Sequence, residues 1–183
     1  MIFRPAGIEG AFVIELEPRS DDRGFFARTF DDDEFRAHGI ETEFVQANVS
    51  FNVEKGIIRG FHYQVAPALE PKLFRCTRGA TYNVAVDMRP ESATYGRHAA
   101  VKLSEDNRLG LYVPALCATA YQALAEGAEV HYLVGGRYAP ELERGIRFDD
   151  PALGVEWPLP PVRLTAKDTS WPLLEGFPEA VSG

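Results

Sequence analysis

The sequence is poor in the residues on which disulfide-stapled and metal-bound folds rest. It holds two cysteines, Cys76 and Cys117, in 183 residues. Two are too few for a disulfide framework and have no zinc-like spacing, although one bridge between them stays open. Four histidines occur, His38, His62, His98 and His131, and no two of them lie one residue apart. No run approaches the roughly 20 apolar residues that span a bilayer. The start, MIFRPAGIEGAFVIELEP, lacks the basic region, long apolar run and small-residue cleavage site of a secretory leader. Basic charge is scarce too: 19 Lys and Arg against 27 Asp and Glu leave a net charge of −8. That argues against a nucleic-acid binder, while one basic pocket for a small anion remains open. A protein of the reducing cytoplasm, without membrane or nucleic-acid partners, is the expectation.

Apolar residues make up 45% and charged residues 25%, an ordinary globular balance. The length suits a single domain, residues 1–183, with its own core. Thirteen prolines and sixteen glycines are spread along the chain, which favours short strands and turns over long helices. Strands are expected at 10–18, 23–30, 56–64, 72–80, 81–90, 109–114, 121–127 and 128–136, with a turn at Ser20-Asp21-Asp22. In 81–90, Tyr82, Val84, Val86 and Met88 share one face and Asn83, Ala85 and Asp87 the other. The best helix is 31–39, acidic at its start and closed by Gly39. The Pro-rich tail from Glu156 reads as irregular, packed across the body by Trp157 and Trp171. Many short strands at about 8–12-residue spacing give an all-β sandwich or jelly roll.

The run Gly56-Ile57-Ile58-Arg59-Gly60-Phe61-His62-Tyr63-Gln64 places an Arg and a His among apolar neighbours. A metal-binding β-roll needs two histidines one residue apart, a carboxylate and a later histidine. His62-Tyr63-Gln64 supplies no second histidine in phase, and Thr119 is no imidazole, so the metal reading is weak. Acid–base chemistry fits better: a pocket histidine oriented by a carboxylate can take a proton near neutral pH. Asp168, Asp87 and Glu70 are all candidates for that carboxylate, and the residues alone do not choose. Lys72 and Arg59 can stabilise an oxyanion or a phosphate, and Tyr132 and Tyr138 can donate a proton or stack. Taken singly, each has a bland reading, as a solvated cation or a core tyrosine. His131 alternates with Tyr132 along its strand, so the two cannot both face inward.

Together these segments resemble the dTDP-4-dehydrorhamnose 3,5-epimerase family of nucleotide-sugar enzymes. The resemblance runs from DDRGFFARTF through VQANVSFN, GIIRGFHYQ, PKLFRCTRGATYNVAVDMRPESATYG and YVP to EVHYLVGGRYAPELERGIRFDDPALGVEWP and LTAKD. It implies a cupin-like jelly roll, a homodimer, no metal, no cofactor, and a nucleoside-diphosphate 4-keto-6-deoxy sugar as substrate. It further implies His62 as base, Asp168 as its partner, Lys72 as enolate stabiliser and Tyr132 as opposed proton donor. Arg23 and Arg59 match basic residues near the nucleotide and diphosphate. Phe26 and Gln46 match binding positions, and Tyr138 the residue that stacks on the base. Strand parity sets Arg59 and His62 on opposite faces unless Gly60 makes a bulge.

The chain departs from the family pattern P-x-G-F-A-H-G-F at PALCATAY, residues 114–121. Thr119 stands at the histidine, and the two glycine positions fall at Ala115-Leu116 and Ala120. Asn83 replaces an expected Asp and Arg28 a frequent Glu, the latter a charge reversal connected to nucleotide choice. Three readings follow: inversion at C3, C5 or both; a different reaction on the same scaffold; or a sugar-nucleotide binding protein. Thr119 and Asn83 count among the substrate-contact candidates.

Overall fold

Residues 1–40 and 43–174 are described by the computed structural model, and short strands between glycine and proline turns dominate it. The chain runs β1 (Ile2–Pro5), β2 (Phe12–Glu15), β3 (Arg19–Asp21), β4 (Gly24–Phe26), α1 (Asp32–Ala37), β5 (Gln46–Asn52) and β6 (Ile58–Gln64). It continues through β7 (Lys72–Arg78), β8 (Ala80–Asp87), β9 (His98–Ser104), β10 (Gly110–Val113), β11 (Cys117–Ala123) and β12 (Ala128–Val134). The last elements are β13 (Glu143–Gly145) and α2 (Ala166–Ser170). One sheet has the order β1-β2-β10-β7-β12-β5, the other β13-β6-β11-β8-β9, and β3-β4 form a separate hairpin. Two antiparallel sheets face to face make the expected cupin-like jelly roll.

Alternation along the strands sorts side chains into three apolar layers. Phe74 and Val130 of the first sheet meet Ala85, Leu103, Cys117 and Tyr121 of the second in the middle. The opposite face of the second sheet buries Phe61, Val84 and Val86 beneath Ile146, Leu153 and Trp157. Phe35 of α1 covers Ile14, Leu73 and Tyr112 on the first sheet. The two-faced reading of 81–90 therefore holds. Both cysteines are free and buried, which closes the question of a bridge.

Several boundaries differ from expectation. The strand read at 23–30 is a tight hairpin, β3–β4, turning at Asp22-Arg23 rather than at residues 20–22. β11 begins at Cys117, four residues before the expected start; all seven of its residues are buried, so it shows no apolar–polar alternation to read. The tail is not wholly irregular, since Thr165 caps α2 by accepting from the Asp168 amide. Trp171 then lies flat against Gly145, where any added side chain would collide with the indole. Helix α1 matches its signals: Asp31 accepts from the Glu34 amide, and Gly39 ends the turn at φ 76°. No helix among the described residues is long and apolar enough to cross a membrane.

Asp87, a sequence candidate for orienting His62, instead anchors the loop after β8. It accepts from Arg89 (2.8 Å), Ser92 (2.6 Å) and Thr94 (2.6 Å). Burial opposes its charge, but these bonds prevail and hold its pKa at about 2. Its pKa is depressed on folding, so the stabilisation is present above the ordinary value of 3.8 and is lost as pH falls toward about 2. Asp87→Asn is expected to cost on the order of 2 kcal/mol near neutral pH, with the deficit shrinking toward pH 3. Urea unfolding of both proteins at the two pH values checks this.

Candidate active site

Arg59 and His62 are three residues apart on β6, yet their partners on β11, Tyr121 and Thr119, are only two apart. The extra residue on β6 is a bulge at Gly60-Phe61, where Gly60 has φ 112°. A Cβ at Gly60 would strike the Thr119 carbonyl and Ala120, so glycine is required twice over. The bulge brings Arg59 and His62 to one cleft, as the Gly60 reading anticipated.

That cleft has a volume of about 340 Å³. Lys72 and Phe74 of β7, Tyr132 of β12, Thr119 of β11 and Asp168 of α2 join Arg59 and His62 in lining it. A second depression of about 400 Å³ meets it at His62, Lys72 and Tyr132 and adds Gln46, Glu70, Tyr138 and Glu143. Among the described residues, no group of three or more His, Cys, Asp or Glu side chains could hold a metal ion.

His62 Nε2 lies 2.7 Å from Asp168 Oδ1. The other Asp168 oxygen accepts from the Thr165 hydroxyl at 2.8 Å. Burial opposes the Asp168 charge, but the bonds from His62 and Thr165 outweigh it and keep its pKa below the usual carboxylate value. An ionised Asp168 makes Nε2 the donor and leaves Nδ1 with its lone pair, the state a base needs. Of the three carboxylates considered from sequence, geometry selects Asp168.

Lys72 Nζ is 2.7 Å from Glu70 Oε1 and donates to Thr119 Oγ1 at 3.4 Å, with both members of the ion pair mostly buried. Thr119 in turn donates to the His62 carbonyl at 3.3 Å. Tyr132 stacks on Phe74 with ring centroids 5.5 Å apart. Burial, then the charges of Tyr121 and Glu70, push its pKa up, so the phenol stays protonated. Arg59 is steadied by Asn52 Oδ1 at 3.0 Å and the Phe51 carbonyl. His131 pairs with Arg75 and Val49 across the sheet, on the face away from Tyr132.

Other sequence candidates lie elsewhere. Asn83 is buried and donates to Thr81 Oγ1 at 2.8 Å, outside the cleft lining. Arg23 is exposed on the β3–β4 hairpin and bonds Asp21. Phe26 and Arg28 border a different depression, near Met1 and Glu34, where Arg28 pairs with Asp31. Sequence reasoning passed over Glu143, Lys167 and Thr165. The pattern Thr165-Ala166-Lys167-Asp168 is a capping-box signal that would have found Thr165 and the helix; Glu143 has no such local mark.

The dTDP-4-dehydrorhamnose 3,5-epimerase family model matches residues 5–176. The chain belongs to this family. The dTDP-4-dehydrorhamnose 3,5-epimerase of Methanothermobacter thermautotrophicus is 40% identical over 177 residues, 94% of this chain and 95% of that one. A dTDP-4-dehydrorhamnose 3-epimerase of Streptomyces niveus is 36% identical, covering 92% of this chain and 81% of its own. The crystal structure of a Legionella pneumophila dTDP-6-deoxy-D-glucose-3,5-epimerase in complex with dTDP-4-keto-L-rhamnose superposes with TM-score 0.87 at 34% identity, covering 94% and 92% of the two chains. The stretch 114–121 is where the sequence departs from the family pattern. Leu116, at a glycine position, adopts φ 59°, in the left-handed region, which costs a non-glycine residue roughly 1–2 kcal/mol.

Proposed function

We propose that the protein is an epimerase that inverts C3, C5 or both in a nucleoside-diphosphate 4-keto-6-deoxy sugar, without a cofactor. The observation that carries this is the His62–Asp168 bond of 2.7 Å in a cleft that also holds Lys72 and Tyr132. A C4 ketone acidifies the hydrogens at C3 and C5. His62 Nδ1 removes one, and Asp168 stabilises the imidazolium formed. The electron pair moves onto the C4 oxygen, where the Lys72 ammonium stabilises the enolate. Tyr132 then delivers its proton to the opposite ring face, inverting the carbon. Thr119 adds a small neutral hydroxyl beside Lys72 rather than an imidazole. Glu70 supplies the counter-charge beside Lys72.

Arg59 is read as a diphosphate contact, and Gln46 and Tyr138, which line the adjoining depression, as contacts to the sugar and base. Residues 1–183 are taken as one domain in a cytoplasmic homodimer. Support for a dimer comes from the edge strand β5, where Val49 and Phe51 are 61% and 49% exposed, with Val53 just beyond it at 61%. Phe26, 64% exposed, and Arg23 sit outside their own chain's cleft, and a homodimer offers them a partner's cleft to complete.

The test is conversion of a dTDP-4-keto-6-deoxy sugar in heavy water, followed by NMR. Deuterium is expected at C3, C5 or both of an inverted product. Tight binding with no deuterium uptake would leave a binding protein.

A further inference from the structure

One inversion leaves the base and acid in the wrong states for the next. His62 ends as imidazolium and Tyr132 as phenolate, so a proton must leave one and reach the other before turnover repeats. The exit from His62 is not obvious, because Nε2 is held by Asp168 at 2.7 Å. Asp168 is a closed end: both its oxygens are engaged, by His62 and Thr165, and its side chain is 5% exposed. Glu70 is likewise occupied, by Lys72 and Gln64.

Glu143 differs. The β13–β6 pairing sets Gly145 opposite His62 and Glu143 opposite Gln64. This brings Glu143 Oε1 to 3.9 Å from His62 Nδ1, the nitrogen that Asp168 leaves unbound. Its other oxygen, Oε2, takes the Lys167 ammonium at 2.6 Å and the Tyr138 hydroxyl at 2.9 Å. The carboxylate is thereby turned with Oε1 toward the imidazole. Lys167 and Tyr138 are themselves 46% and 58% exposed, so once the nucleotide has left Tyr138 the cluster leads from the partly exposed base to water.

Resting on the epimerase reading above, we propose that Glu143 is the proton-relay residue that resets His62 after each turnover. The Nδ1–H bond breaks and a Glu143 O–H bond forms, directly after a small side-chain torsion or through one bridging water. Neutral His62 and a neutral carboxyl result. The carboxyl releases its proton to water, and solvent returns one to the Tyr132 phenolate, so no proton is gained or lost overall. Burial disfavours the Glu143 charge, but its bonds to Lys167 and Tyr138 prevail and lower its pKa. It therefore hands a proton on rather than storing it.

The test compares the first turnover with the steady state in Glu143→Gln, by rapid quench with a dTDP-4-keto-6-deoxy sugar at several buffer concentrations. The first turnover should slow less than the steady rate, which should fall by on the order of tenfold, short of the roughly 10²–10⁴ of a direct acid or base because water can take part of the proton flow. The slow phase should quicken with added formate or imidazole, and Glu143→Asp should recover it. Equal slowing of both phases would overturn the proposal by showing a structural role. An unchanged steady state would overturn it too, because His62 would then release its proton straight to water. A wild type that never converts the sugar would instead sink the epimerase reading itself, and the relay with it.

Discussion

Replacing His62 with glutamine is expected to slow deuterium exchange into the sugar by on the order of 10³-fold or more, since general-base removal forfeits roughly 10²–10⁴. Glutamine, whose amide reaches the place of the imidazole Nε2, keeps a donor for Asp168, whose carboxylate would otherwise be left buried beside Thr165 alone. The fold and the cleft walls should survive, because His62 is partly exposed and makes no core contact comparable to that of its buried neighbour Phe61. Affinity for dTDP should change little, as Arg59, Gln46 and Tyr138 are untouched. A large loss of rate with constant binding is the signature of an interaction made only in the transition state. Exchange followed by NMR, with calorimetry on the same samples, decides it; retention of a tenth of the wild-type rate would remove His62 from the base role.

Tyr132→Phe should separate two events that the wild type joins. Abstraction by His62 and enolate stabilisation by Lys72 do not use the phenol, so hydrogen should still wash out at the acidified carbon at a rate within about tenfold of the wild type. Inversion needs a donor on the opposite face, and its rate should fall on the order of 10²-fold or more. Burial keeps Tyr132 protonated, which suits a donor, and Phe preserves the stack on Phe74. Parallel loss of washout and inversion would mean that Tyr132 holds the enolate rather than reprotonating it.

Much of the scaffold was legible because its signals are local. Gly39, the acidic first turn of α1 and the two-faced pattern of β8 each carry their structure within a few residues. Gly60 was legible in a different way: the conflict between Arg59 and His62 on one strand demanded a bulge, and Gly60 offered the only residue with the freedom to make it. β11 was cut short in the reading because a strand buried on both faces has no alternation. Asp168 could not be chosen over Asp87 and Glu70, since its pairing with His62 spans 106 residues and depends on where α2 docks. Glu143 escaped notice for the same reason, as β13 is three residues long and gains its place only by pairing with β6. Arg23 and Phe26 show the converse: a family match by position does not bring a residue into the cleft of its own chain.

The departures at 114–121 leave the proposed proton-transfer groups lining one cleft. Thr119 occupies the cleft and still touches Lys72, while Leu116 holds a glycine-like backbone. His62, Asp168, Lys72 and Tyr132 are all in place around the same space. On the proposed mechanism, the stereochemical outcome depends on how the sugar sits between His62 and Tyr132.

A crystal structure with an unreactive dTDP-linked 6-deoxy sugar measures that directly. The account predicts the sugar ring between His62 Nδ1 and the Tyr132 hydroxyl, one on each face, with its C4 oxygen within hydrogen-bond distance of Lys72 Nζ. A ring bound outside this cleft, or one with His62 and Tyr132 on the same face, would contradict it.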